Sequence, residues 1–158
     1  MAKWNYIFFD LDGTLTNPKV GITKSVAYAL RSFGIEVNDL DCLCKFIGPP
    51  LKESFMKYYG LTSEEADKAV DTYREDFRPH GVYENEVYQG IPELLAQLCN
   101  EGKHLILASS KPTVFVEIIL NHFDMRKYFD VVVGSELDGT RVIKGDVIAD
   151  ALEKAGIT

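Results

Sequence analysis

Cysteine is scarce in this chain, with only Cys42, Cys44 and Cys99 in 158 residues. An odd set without a Cys-x-x-Cys pair argues against a thiolate zinc site, since Cys42 and Cys44 lack a second pair of ligands. The three are expected to be plain buried thiols in a reducing cytoplasm. Basic residues are in deficit as well: 17 Lys and Arg stand against 24 Asp and Glu, a formal charge of -7. That balance argues against sequence-independent binding to nucleic acid or to an anionic membrane. Small phosphorylated molecules are not excluded, because they meet only the local field of a pocket. Long apolar runs are missing too. The run after Met1 is four residues of strand, too short for a signal core or a membrane span, so no leader is expected. Repeats and low-complexity segments are absent. The 46% hydrophobic content suffices for one core with room for an inserted subdomain.

What is present is an apolar strand running into two carboxylates and a glycine turn, Ile7-Phe8-Phe9-Asp10-Leu11-Asp12-Gly13-Thr14-Leu15-Thr16. Side chains two apart on extended backbone share a face, so Asp10 and Asp12 aim into one small volume while Leu11 points into the protein. Two carboxylates that close repel when both are charged, and a cation between them or a proton on one relieves the repulsion. Asp10, at the end of the run, is placed to attack an electrophile as a bare carboxylate. Asp12 can hand a proton to a leaving oxygen and later take one from water. Gly13 lets the chain leave the strand sharply. A strand ending in Asp-x-Asp-Gly is also an ordinary polar turn, and the pair by itself leaves both readings open.

From residue 17 to 82 every periodic segment is helical. Asn17-Pro18 reads as a cap and first helical residue, followed by Ile22, Val26, Leu30 and Phe33 up to Gly34. A short helix is expected from Asp39, and another after Gly48-Pro49-Pro50 through Leu51, Phe55 and Tyr58 to Gly60. Thr62 with Glu65 makes a capping box ahead of Ala66, Val70, Tyr73 and Phe77. The pattern then changes to unbroken apolar runs, Leu105 to Ala108 and Val131 to Val133, separated and followed by helices, the last from Ile143 to Ala155. Such runs mark a parallel sheet covered on both faces. The fold class implied is α/β: a doubly wound parallel-sheet, Rossmann-like core from residues 1–16 and 83–158, interrupted after its first strand by an all-helical insert, residues 17–82. Ligands in such sheets bind at the carboxyl ends of the strands, where Asp10 sits. Ser109-Ser110-Lys111-Pro112 follows the second run and reads either as an anion site of hydroxyls and N–H groups or as two helix-capping serines.

The string around Asp10 resembles the first motif of the haloacid dehalogenase-like superfamily of phosphohydrolases, in which Asp-x-Asp-Gly-Thr follows an apolar strand. The resemblance implies that Asp10 is the nucleophile that becomes an aspartyl phosphate and that Asp12 is the general acid and base. It also implies a magnesium ion (Mg2+) between them, with Asp10 and Asp12 as ligands. The family's dehalogenases and phosphonate-cleaving members lack the second Asp, so its presence favours phosphate esters. Ser109 is similar to the second motif, which hydrogen-bonds the transferring phosphoryl group, with Ser110 its weaker neighbour. Lys144 resembles the third, a cation that neutralises phosphoryl charge and holds the nucleophile. The family usually has Pro after that Lys where this chain has Gly145, and Arg141 is the competitor.

The insert looks like the helical cap of the phosphoglycolate phosphatase and 5′-nucleotidase-like branch, whose cap string Gly48-Pro49-Pro50-Leu51 matches. Such a cap would exclude water and select the substrate. Gly13, Ser110 and Lys52 are the candidate substrate-binding positions. The family's fourth motif, an acidic stretch after a fourth strand, has no match before Thr158. The C-terminal part of the core is therefore expected to be missing, leaving the Asp10 strand as an unpaired edge open to self-association. The activity implied is a magnesium-dependent phosphatase of small phosphate monoesters, of phosphoglycolate or nucleoside monophosphate type. A sugar-phosphate mutase of the same superfamily and a non-catalytic truncated fragment are the alternatives. The expected partner is a small phosphorylated metabolite, with no nucleic acid and no membrane, in the cytoplasm.

Overall fold

The structure, a computed structural model, describes residues 4–141 and 143–157; Met1–Lys3, Val142 and Thr158, all within the expected core segments, lie outside the described residues. Along the chain come β1 Tyr6–Phe9, β2 Thr16–Asn17, α1 Lys19–Arg31, α2 Leu51–Tyr59, α3 Ser63–Phe77, β3 Glu86–Val87, α4 Ile91–Asn100, β4 His104–Pro112, α5 Thr113–His122, β5 Val131–Ser135 and α6 Lys144–Lys154. Short 3-10 turns lie at Leu40–Phe46, Gly81–Tyr83 and Arg126–Tyr128. Two compact units result, residues 1–17 with 87–158, and residues 18–86.

In the first unit β1, β4 and β5 form a parallel sheet in the order β1-β4-β5. Parallel neighbours cannot be joined by a hairpin, and α5 is the crossover between β4 and β5. The central strand β4 is buried from Leu105 to Ser109. Ile106 and Ala108 pack with Val133 of β5 against Val147 and Ala151 of α6, and by strand alternation Leu105 and Leu107 serve the opposite face. Burial on both faces fails at β1, where Tyr6 and Phe8 are exposed. The physical reason is position: among the described residues β1 has a sheet neighbour on one side only. Its packing comes from Tyr6 stacked on His104 at 5.1 Å and Phe9 edge-on to Phe129 at 6.1 Å.

β4 also runs further than its apolar run. It continues through Ser109, Ser110 and Lys111 to Pro112, which pairs with Ser135 after a register break between Ala108 and Pro112. Gly134 permits this close seam, because a Cβ there would stand 2.3 Å from the Lys111 carbonyl oxygen and 2.7 Å from the Thr113 nitrogen. Gly134→Ala is therefore expected to destabilise the fold by about 1–3 kcal/mol, the usual cost of overpacking. Chemical denaturation of the two proteins checks it, and equal midpoints would mean the seam yields freely.

The second unit is helical. α1 buries Ile22, Val26, Ala29 and Leu30 on one stripe. The N-cap position of α1 is taken by Pro18, and Asn17 precedes it in β2. Thr62 and Glu65 do form the capping box, with the Thr62 N–H donating to Glu65 at 2.8 Å and the Glu65 N–H to the Thr62 hydroxyl at 3.3 Å. The short helix after Asp39 is a 3-10 turn, capped by the Asp39 carboxylate accepting from the Asp41 N–H at 2.9 Å. The cysteines depart from expectation, since none is fully buried. Cys42 lies on the solvent side of that 3-10 turn, whose inward residues are Leu43 and Phe46. Cys99 donates to the Tyr128 carbonyl at 3.4 Å, and partial burial pushes its thiol pKa up.

Candidate active site

Asp10 follows β1 directly, and the parallel register that sets Phe9 beside Leu107 brings it level with Ala108, where the regular part of β4 ends. Its Oδ1 accepts from the Leu11 N–H at 2.8 Å and lies 3.0 Å from Lys144 Nζ. Lys144 opens α6 and also donates to the Ala108 carbonyl, so one ammonium ties the ends of β1 and β4 to the last helix. The structure thus brings Lys144 to Asp10 and leaves Arg141 elsewhere. Arg141, with φ +52, is held by Glu136 and Asp150 within the loop and helix that follow β5. Sequence spacing could not separate the two, because the deciding distance is set by how α6 packs on the sheet.

Leu11 is fully buried, as the alternation requires. The loop beyond it is tight: the N–H groups of Thr14, Leu15 and Thr16 converge on the Leu11 carbonyl, and the Gly13 N–H donates to Thr16 at 2.8 Å. Gly13 takes φ +79, which explains the glycine. Asp12 lies 3.1 Å from Lys111 Nζ through Oδ2, and the two side chains are only 12% and 7% exposed. Its Oδ1 is buried without a hydrogen-bond partner. A bare buried carboxylate oxygen is costly, and native structures leave one only where something else satisfies it. Lys111 is the residue that sequence reading passed over as an active group. Its signal was its place in Ser109-Ser110-Lys111-Pro112, but nothing local says that a strand lysine turns toward a carboxylate from another strand.

Ser109 is buried, and its hydroxyl accepts from the Lys111 N–H at 3.1 Å. It does not cap α5, whose first residue is Thr113 and whose N-cap Pro112 offers no side chain, so the capping alternative falls away. The Ser109-Ser110 stretch expected at a helix start thus lies on the irregular end of β4. Ser110 contributes its carbonyl, which accepts from the Ser135 hydroxyl at 2.9 Å. Lys52 belongs to the helical unit, where it pairs with Asp67 at 2.9 Å. An open cavity of about 310 Å³ lies beyond β5, lined by Thr113, Val114, Ser135, Glu136, Leu137 and Asp138, and none of the acid or lysine pairs lines it.

Among the described residues no group of three or more His, Cys, Asp and Glu side chains surrounds a metal position. Two carboxylates, one with a bare buried oxygen, nevertheless suit a hard cation that keeps several waters and takes one or two carboxylates plus a substrate phosphate. Asp10 and Asp12 therefore fit as a partial cation site. No helix among the described residues is long and apolar enough to cross a membrane.

Two carboxylates and two lysines thus gather toward the carboxyl end of a parallel α/β sheet, where ligands bind in folds of this kind. The chain belongs to the haloacid dehalogenase-like hydrolases, whose family model matches residues 7–158. It is 50% identical over 155 residues to a 5′-nucleotidase of Pseudomonas aeruginosa, covering 98% of this chain and 70% of that protein. It is 39% identical over 146 residues to the tyrosine-protein kinase PtkA of Mycobacterium tuberculosis, covering 92% of this chain and 50% of that one. The crystal structure of a predicted phosphatase from Clostridium acetobutylicum superposes with a TM-score of 0.96 at 53% identity, covering 99% of this chain and 73% of that one. The chain thus spans between half and three quarters of the length of these relatives. Its class is that of the phosphoric monoester hydrolases of this family.

Proposed function

We propose that the chain carries the phosphoryl-transfer half of a magnesium-dependent phosphatase of small phosphate monoesters, of phosphoglycolate or nucleoside monophosphate type, working through an aspartyl phosphate on Asp10. The observation that carries the reading is the pairing of Asp10 Oδ1 with Lys144 at 3.0 Å beside an Asp12 whose Oδ1 is buried and bare. Asp10 attacks phosphorus while Lys144 offsets the charge that spreads over the equatorial oxygens. Asp12 protonates the leaving oxygen and then takes a proton from the water that hydrolyses the phosphoenzyme. The buried Ser109 hydroxyl is placed as a donor to the phosphoryl group once its own proton is free to turn. Asp10 and Asp12 would hold the magnesium ion, which when bound supplies charge neutralisation and orientation to the phosphate.

The helical unit, residues 18–86, acts in this proposal as the cap that selects the substrate, with Lys52 its candidate contact and Gly13 and Ser110 the candidate contacts of the core. The partner is a small phosphorylated metabolite rather than nucleic acid or membrane, in keeping with the net charge of -7. The free thiols fit a cytoplasmic setting. The open edge of β1, with Trp4, Tyr6 and Phe8 exposed, favours self-association of this chain, to be read by sedimentation. The test of function is phosphate release from phosphoglycolate, nucleoside monophosphates and an aryl phosphate, with magnesium and with chelator. Release that needs magnesium is expected, and no release from any ester overturns the proposal.

A further inference from the structure

We infer that Ser135 is a positioning residue for Ser109: acting through one peptide unit, its buried hydroxyl fixes the direction in which Ser109 donates to the phosphoryl group. The inference rests on the reading above, in which the Ser109 hydroxyl is that donor. Its ground is the seam between β4 and β5. From the pair Ala108 with Val133 to the pair Pro112 with Ser135, four steps along β4 stand against two along β5. Ser109, Ser110 and Lys111 therefore ride on a bulge. Bulges re-aim side chains and recur beside active sites, but a bulge aims a group only if something holds it still.

A relay of hydrogen bonds holds this one. The Ser135 hydroxyl donates to the Ser110 carbonyl at 2.9 Å. That carbonyl and the Lys111 N–H are two ends of one planar peptide unit, so fixing one fixes the other. The Lys111 N–H in turn donates to the Ser109 hydroxyl oxygen at 3.1 Å. A hydroxyl has one proton and two lone pairs, and with a lone pair taken by this N–H the Ser109 proton points away from the peptide. A carbonyl that accepts also polarises the N–H of its own peptide, which strengthens the second bond of the relay.

The relay is anchored at both ends. Ser109 and Ser135 are only 2% and 3% exposed. The Gly134 N–H donates to the Thr113 hydroxyl at 3.0 Å and that hydroxyl donates to the Ser135 carbonyl at 3.3 Å, which pins the backbone that carries Ser135. The Ala108 carbonyl, which shares a peptide unit with the Ser109 N–H, accepts from Lys144, whose ammonium also lies 3.0 Å from Asp10. Ser109 is thus held by Lys144 through the peptide before it and by Ser135 through the peptide that follows Ser110.

A residue that acts through another has no effect once that other is gone, and a double-mutant cycle reads this dependence. Hydrolysis of p-nitrophenyl phosphate and its inhibition by inorganic phosphate are measured for the wild-type chain, Ser109→Ala, Ser135→Ala and the double variant. Ser109→Ala is expected to lower kcat/KM about a hundredfold, the loss of one donor to a transition state that develops charge. Ser135→Ala should lower it about tenfold, the upper range for one net hydrogen bond, and raise the inhibition constant of phosphate by a similar factor. In the Ser109→Ala background, Ser135→Ala should change either quantity by less than about twofold. Ser135→Cys, close in shape but a weaker donor, should fall between the wild type and Ser135→Ala, and it carries the test if the alanine variant does not fold.

Equal losses from the Ser135 substitution in both backgrounds mean a seam that serves only the fold, and they overturn the inference. So does full activity in Ser135→Ala or in Ser109→Ala. With Asp10→Asn inactive, those outcomes leave the aspartyl-phosphate reading standing. If Asp10→Asn still hydrolyses the ester, or the wild-type chain does not, that reading falls and this inference with it.

Discussion

Asp10→Asn is expected to reduce turnover by at least about a thousandfold, because in the proposed mechanism Asp10 forms the covalent intermediate and has no substitute among its neighbours. The substituted amide keeps an oxygen that can accept from the Leu11 N–H, now 2.8 Å from Oδ1, and from Lys144, now 3.0 Å away. It lacks the negative charge and the basic oxygen pair needed to attack phosphorus. The Asp10 side chain is 45% exposed, so the substitution leaves no desolvated hole, and the fold should survive with little change in its unfolding midpoint. Steady-state kinetics with several esters, together with intact-protein mass after brief exposure to substrate, check both halves. The wild type should gain the mass of one phosphoryl group and the variant none. Undiminished hydrolysis by the variant would place the nucleophile elsewhere.

Lys144→Met is expected to cost about a hundredfold to a thousandfold in kcat, the range seen when one preorganised donor is lost from a charge-developing transition state. The ammonium contacts both Asp10 and the Ala108 carbonyl, so its loss removes a charge beside Asp10 and a link from α6 to β4. Arg141→Met is the contrast. It should loosen the loop after β5 by freeing Glu136 and Asp150, lowering the unfolding midpoint while sparing most of the turnover. Kinetics and thermal unfolding on both variants decide the matter. A larger kcat loss for Arg141→Met than for Lys144→Met would transfer the cation's role to Arg141.

Much of the architecture was legible from residues alone, and for a local reason. The switch from helical period in residues 17–82 to unbroken runs at Leu105 and Val131 marks which segments bury one stripe and which bury both faces. Those segments became α1 to α3, β4 and β5. The capping box at Thr62 was equally readable, because its partners lie three residues apart. Where reading failed, a distant element had intervened. The N-cap position of α1 fell to Pro18 while Asn17 joined β2, and Ser109 and Ser110 became strand rather than helix start because Gly134 and Ser135 draw that stretch onto β5. Cys42 was placed inside on composition, yet the 3-10 turn that carries it spends its inward positions on Leu43 and Phe46.

By itself the sequence determined the parallel α/β core, the helical insert and the presence of Asp10 and Asp12 at a strand end, since side-chain period, turn residues and motif spacing act within a few positions of the chain. Only the tertiary structure decided which cation meets which carboxylate. Lys144 reaches Asp10, Arg141 does not, and Lys111 claims Oδ2 of Asp12 while Oδ1 is left bare. Those pairings depend on the register of β1 against β4, on the broken seam between β4 and β5, and on the packing of α6. Each is the outcome of burying side chains from remote segments together, which no local pattern encodes.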